Sequence, residues 1–220
     1  LLFPKFSILD PETTYSLVRI QTANGIVDAF VHVIEQYLTR MNNAPLQDYF
    51  AESIMKVLIE ESKKVFDHPN DYDVRANLMW ASSWALNGWI AQGVSEDWAT
   101  HMIGHELTAF FGIDHAQTLA IVLPGVMEVM KDCKKDKILQ LGCRVFGICE
   151  GNPDVRVHNT IVAVENFFNS IGINTHLSDH GVDEKGISKI VNRMKEREWI
   201  LGECENINFQ VTEKILKLRL

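Results

Sequence analysis

Three of the eight histidines, His101, His105 and His115, fall inside one apolar, helix-patterned run, WATHMIGHELTAFFGIDHAQTLAIVLP (98–124). An unpaired buried polar group costs free energy, so imidazoles in such a run call for a partner. A divalent metal ion is the partner that several imidazoles can share. A second stretch, NGIVDAFVHVIEQYLT (24–39), adds donors at Asp28 and His32. Those two are four residues apart, so on a helix both project from one face, about 6 Å apart along the axis. His101 and His105 repeat the spacing on a second helix, and His115 follows a glycine-closed turn. Five candidates exceed what one four-ligand site needs, so one of the five stands outside the coordination shell. Mixed carboxylate and imidazole ligation suits Fe(II) or Zn(II), whereas Ca and Mg prefer oxygen alone. With no cysteine among the donors, the set points to a catalytic metal with an open position.

Each of these signals has an ordinary reading. A lone Asp–His pair at i, i+4 is commonly a surface feature, and two histidines on one helix face arise by chance. The combination carries the metal reading, because Asp28 stands among Val27, Ala29 and Phe30 and the later histidines punctuate an apolar segment. His68, His158, His176 and His180 sit among polar or loop-like neighbours and read as structural. Glu106, directly after His105, either orients an imidazole or lies on a solvated face. Trp80, Trp84, Trp89 and Trp98 read as core or as walls of an apolar pocket near the donors. Cys143 and Cys149 read as small core hydrophobes, and all four cysteines as free thiols in a reducing cytoplasm.

The elements that must position these donors are helical. Residues 1–20 read as an extended entry segment, with a turn at Asp10-Pro11. Residues 21–220 read as one all-α unit of about eight or nine helices. They are expected at Gly25 to about Thr39, Leu46 to Phe66, Val74 to Gln92, Asp97 to Phe111, His115 to Lys131, Asp136 to Phe146, Asp154 to Ile171, Asp183 to Arg197 and Thr212 to Leu220. The third is apolar all round and reads as the central buried helix. A formal net charge of −8 and a sequence pI near 5.5 argue against a nucleic-acid or anionic-membrane surface. No apolar run reaches the ~20 residues of a membrane span, and no signal-peptide pattern is present, which gives a cytoplasmic expectation. A homodimer is the default assembly.

The stretches 24–39, YDVRANLMWASSWALNG (72–88), 97–124 and, more weakly, NTHLSD (174–179) resemble the iron-containing (group III) alcohol dehydrogenases. Within them, the resemblance is to the branch of NADPH- or NADH-dependent butanol dehydrogenases and broad aldehyde reductases. It spans essentially the whole chain. It implies a dehydroquinate synthase-like α-domain and a metal held by an Asp and a His four apart plus two His fourteen apart. On this sequence those are Asp28, His32, His101 and His115. His105 is then left outside the shell, near the nicotinamide and substrate, as the candidate catalytic and cofactor-binding residue for proton relay. The implied metal is Fe(II), with Zn(II) the alternative, acting as a Lewis acid on the oxygen of a short-chain primary alcohol or aldehyde. NAD(P) belongs to a nucleotide-binding domain of about half the full protein, whose glycine-rich loop has no counterpart among the 13 dispersed glycines here. The expectation is therefore a metal-binding catalytic half whose first 20 residues are a remnant of that domain, inactive alone. Two rivals are an all-α metal-dependent phosphohydrolase of the HD type, which expects His-Asp where this chain has Asp114-His115, and a non-catalytic metal-containing helical domain.

Overall fold

α5, which runs His115–Val129, has apolar residues on every side, and that composition decides the layout. Leu119, Ala120, Leu123 and Met127 belong to one hydrophobic core, while Ile121, Val122 and Val126 belong to a second. A helix that is hydrophobic all round can be satisfied only by neighbours on all sides. Those neighbours are α1 (Arg19–Tyr37) and α7 (Pro153–Ser170) on one flank, and α4 (Ala99–Phe111) and α9 (Phe209–Lys217) on the other. α2 (Pro45–Val65) and α3 (Tyr72–Ala85) pack outside α1, α6 (Lys135–Phe146) lies against α7, and α8 (Glu184–Glu196) lies against α9. The computed structural model describes residues 4–220; the first three residues of the expected entry segment lie outside them. The described residues hold nine α-helices and two short 3-10 turns, and their single β-bridge joins Leu201 to Ile207. None of these helices is long and apolar enough to cross a membrane.

The all-α expectation holds, with helix ends shifted for identifiable reasons. α1 starts at Arg19, earlier than expected, with Val18 in extended conformation ahead of it. α3 stops at Ala85, because Asn87 and Gly88 turn the chain, Gly88 at φ +83°. The central role expected of α3 is taken by α5. α3 exposes one face, including Trp80, and Trp80, Trp84 and Trp89 pack edge to face on one another and on Phe50 of α2. Residues 4–10 are non-helical and exposed, and Pro11–Thr14 forms a 3-10 turn capped by Asp10.

Two glycines set the geometry around the donor-bearing helices. A Cβ on Gly104 would lie 2.7 Å from Thr118 Oγ1 and 3.2 Å from Leu119 Cδ2, so α4 and α5 approach closely between His101 and His105. Gly112 ends α4 at φ +67°, the left-handed conformation that glycine adopts without a Cβ penalty, and turns the chain back to His115.

The segment after α9 is tied down by a partly buried ion pair. The Arg219 guanidinium, on the turn after α9, pairs with Glu165 of α7 and donates to Thr175 O at 2.7 Å. Leu177 N donates to Arg219 O at 2.6 Å. Burial alone raises the Glu165 carboxyl, but bonds from Arg219 and Thr175 outweigh it and hold the group below 4.5. A depressed folded pKa gives stability that is present above the unfolded value and lost as pH falls through the folded one. Arg219→Met should therefore cost about 1–3 kcal/mol at neutral pH, as loss of a charge-assisted hydrogen bond does. It should also flatten the acid decline of stability below about pH 4.5 in denaturant titrations. An acid slope identical to that of the unmodified chain would contradict the pairing.

Candidate metal centre

α1, α4 and the first turn of α5 bring three of the five donors, Asp28, His101 and His115, into one cluster, with His32 beside it. The nearest donor atoms of Asp28, His101 and His115 all lie within 4.8 Å of one another. His115 Nε2 is 3.4 Å from Asp28 Oδ1. The His32 ring stands beside them, its centre 4.4 Å from that of His101. The His105 ring stacks on His115 at 5.2 Å, lies 6.2 Å from His101 and is exposed to solvent. All five sequence-named residues lie on the helices expected for them, and His105 is exposed where His101 is buried.

Backbone and carboxylate partners fix which nitrogen each imidazole turns inward. His32 Nδ1 lies 2.7 Å from its own-helix carbonyl Asp28 O, which assigns the proton to Nδ1 and leaves the Nε2 lone pair free. His101 Nδ1 bonds to a carboxylate oxygen of Glu35, one turn beyond His32 on α1. His101 Nε2 is buried and without a hydrogen-bond partner, and so is Asp28 Oδ1. Buried polar atoms rarely stay unpaired. Two such atoms of complementary donor chemistry, aimed into one gap lined by a third donor, fit a divalent cation. Nitrogen and carboxylate donors in this ratio suit Fe(II) or Zn(II).

Glu35 is the residue that the spacing argument missed. Its Oε1 accepts from Thr100 N at 2.5 Å and its Oε2 from His101 N at 3.4 Å, so it caps the first turn of α4 from another helix. Asp97 N donates to Glu35 O at 2.9 Å, and Asp97 Oδ1 accepts from Ala99 N at 3.1 Å. Burial, with the Asp97 charge nearby, pushes the Glu35 carboxyl up to about 8, against the pull of the Thr100 and His101 bonds. Burial, with His32 beside it, pushes His101 down to about 3, so that imidazole is neutral at neutral pH and its Nε2 can serve as a ligand. His115 is lowered too, by burial ahead of its charged neighbours. A carboxylate in the apolar run VHVIEQYL was the available signal, since a buried charge must find partners.

The surroundings correct two expectations. Glu106 does not orient an imidazole; it is buried against Arg193 and Arg197 of α8, at 3.3 and 3.9 Å. Among the tryptophans named from sequence, Trp98 stacks edge-on at the cluster, 5.8 Å from the His32 ring and 5.2 Å from the His101 ring. Trp98 begins α4 at φ +59°, a left-handed conformation that costs a non-glycine residue energy and that the surrounding bonds impose. Asn24, one turn before Asp28, donates from Nδ2 to Asp114 Oδ2 at 3.2 Å and so ties the start of α5, where His115 sits, to α1.

The model of the Fe-containing alcohol dehydrogenase family, C-terminal, matches residues 22–219. The chain is 50% identical over 213 residues to the NADPH-dependent aldehyde reductase YqhD of Escherichia coli, covering 96% of this chain and 55% of that protein. It is 38% identical to the NADH-dependent butanol dehydrogenase B of Clostridium acetobutylicum, covering 97% of this chain and 56% of that protein. The solved substrate- and cofactor-free structure of E. coli YqhD superposes with a TM-score of 0.97 at 48% identity, covering 99% of this chain and 58% of that one. The butanol dehydrogenase A structure from Thermotoga maritima gives 0.91 at 31% identity, covering 99% of this chain and 56% of that one. The chain thus spans about half the length of the curated relatives it matches. From its helical layout, its inward-turned donors and these matches, the chain belongs to the Fe-containing alcohol dehydrogenase family, whose C-terminal domain it carries.

Proposed function

We propose that this chain is the metal-binding catalytic half of an NAD(P)-dependent alcohol dehydrogenase or aldehyde reductase for short-chain primary alcohols and aldehydes. In this reading residues 21–220 are the catalytic domain and residues 1–20 lead in from the nucleotide-binding half. Asp28, His32, His101 and His115 hold the divalent metal, Fe(II) in the first instance and Zn(II) as the alternative. The unpartnered, buried His101 Nε2 beside Asp28 Oδ1 is the observation that carries this assignment. When bound, the metal supplies Lewis acidity at the substrate oxygen and the nicotinamide supplies the hydride chemistry.

The residues of the chain prepare that reaction. Glu35 and the Asp28 carbonyl hold two imidazoles in one tautomer and one orientation, so little rearrangement is needed on loading. The Trp98 indole covers the His32 and His101 edges and keeps water from them, which suits an aliphatic substrate. His105, exposed and stacked on His115, is placed to pass the hydroxyl proton to solvent. With no glycine-rich phosphate loop in its sequence, the chain alone binds metal without turning over alcohol.

Metal titration followed by calorimetry tests the ligand set. His101→Ala should lower affinity by more than roughly 100-fold, beyond what loss of an orienting partner costs. Full stoichiometry at unchanged affinity would remove His101 from the set. Glu35→Gln keeps the shape of the side chain but replaces one acceptor oxygen with an amide nitrogen. It should weaken metal by roughly 10- to 100-fold while the helical circular dichroism persists. If Glu35→Gln binds metal as tightly as the parent, the carboxylate does not orient His101. In a chain extended to the length of its relatives, His105→Ala should retain metal and change the pH profile of alcohol oxidation. A profile superimposable on the parent's would rule out proton relay through His105.

A further inference from the structure

Cys143 and Cys149 lie at the C-terminal end of α6, where the structure corrects the free-thiol expectation: they form a disulfide, with Cα atoms 4.4 Å apart. Backbone contacts around the bond also bring the two residues together. Gly147 closes α6 at φ +74°, and both Gly147 N and Ile148 N donate back to Gly142 O, the latter at 2.8 Å, so the chain folds back on the helix end. Arg156 Nε, on α7, donates to Ile148 O at 3.2 Å and pins the loop to the next helix. α6 is itself seated close on α7, since a Cβ on Gly142 would collide with Thr160 Oγ1. Helix cap and interhelix packing thus both position the loop that brings Cys149 back beside Cys143.

Two further features separate this bond from a structural staple. A disulfide stabilises mainly by closing a loop of the unfolded chain, and with a sequence separation of six this loop is short, so the entropic gain is small. Cys149 is exposed and Cys143 partly so, which leaves the bond open to an incoming thiolate. Accessible bonds that contribute little to the fold are the ones that exchange.

We propose that Cys143 and Cys149 form a reversible dithiol–disulfide site whose redox partners are low-molecular-weight thiols and disulfides of the glutathione class. In the oxidising direction the exposed Cys149 thiolate attacks one sulfur of glutathione disulfide. A mixed disulfide forms on Cys149 and one glutathione thiolate leaves. The Cys143 thiolate then attacks the Cys149 sulfur, the intramolecular bond forms, and the second glutathione thiolate leaves. The two cysteines lose two electrons to the glutathione disulfide, and their two thiol protons end on two glutathione thiols. Reduction runs the same exchanges backwards. Cys133 and Cys204, exposed and unbonded, are internal controls.

Incubation of the chain at graded ratios of reduced to oxidised glutathione, followed by acid quench and differential alkylation before and after reduction, reads each cysteine by peptide mass. Cys143 and Cys149 should change label together as the ratio changes, while circular dichroism stays helical throughout. In Cys143→Ser, Cys149 should accumulate as the glutathione mixed disulfide, because the resolving thiol is absent. Free thiols at both positions even in fully oxidised glutathione would overturn the proposal. So would a Cys143–Cys149 bond that resists excess dithiothreitol until the chain is unfolded, since that marks a purely structural link.

Discussion

A buried carboxylate organises the candidate site. Glu35 is inserted between α1 and α4, where its oxygens meet the first free N–H groups of α4 and the Nδ1 of His101. The first N–H groups of a helix have no partner within the helix and carry its positive end, so a carboxylate is well placed there. The same carboxylate decides which nitrogen of His101 faces the gap. One interaction thus sets where α4 begins, how it docks on α1 and which lone pair it presents. Asp97 reinforces the joint through Ala99 N and through a buried Lys134 whose ammonium lies 2.9 Å from Asp97 Oδ2 and 2.5 Å from Leu38 O at the end of α1.

The remaining donors follow from how α5 is buried. Because α5 is apolar on all sides, it can lie only between two cores, and its first residue, His115, then emerges at the seam between α1 and α4. Gly104 allows α4 to come within side-chain contact of Thr118, and Asn24 clamps Asp114 to α1. Asp28 and His115 are brought to 3.4 Å by these packing constraints, although 87 residues separate them in the chain.

Much of this was legible in the sequence. Periodicity gave about eight or nine helices and the all-α class, and the i, i+4 spacings put each candidate pair on one helix, as the structure has them. Composition also marked α5 as apolar, yet the all-round apolar reading was assigned to α3. The tryptophans there misled, since Trp80, Trp84 and Trp89 satisfy one another and Phe50 on an exposed face. Glu106 and Glu35 look equivalent in sequence, each a carboxylate beside apolar residues near a histidine. Which one meets an imidazole depends on helix rotation against a distant partner, α8 for Glu106 and α4 for Glu35, and no local pattern encodes it. The Cys143–Cys149 pairing rests on a left-handed Gly147 that folds the chain back within six residues. A search restricted to CxxC spacing passes over it.

The central claim is that four side chains from α1, α4 and α5 hold one divalent ion. The most direct measurement is anomalous diffraction from crystals of the chain grown with Fe(II) or Zn(II), recorded on both sides of the metal absorption edge. A single strong peak enclosed by Asp28, His32, His101 and His115, with His105 outside its coordination shell, is the predicted result. A peak held by other residues, or none in the gap between Asp28 and His101 at saturating metal, would contradict the assignment.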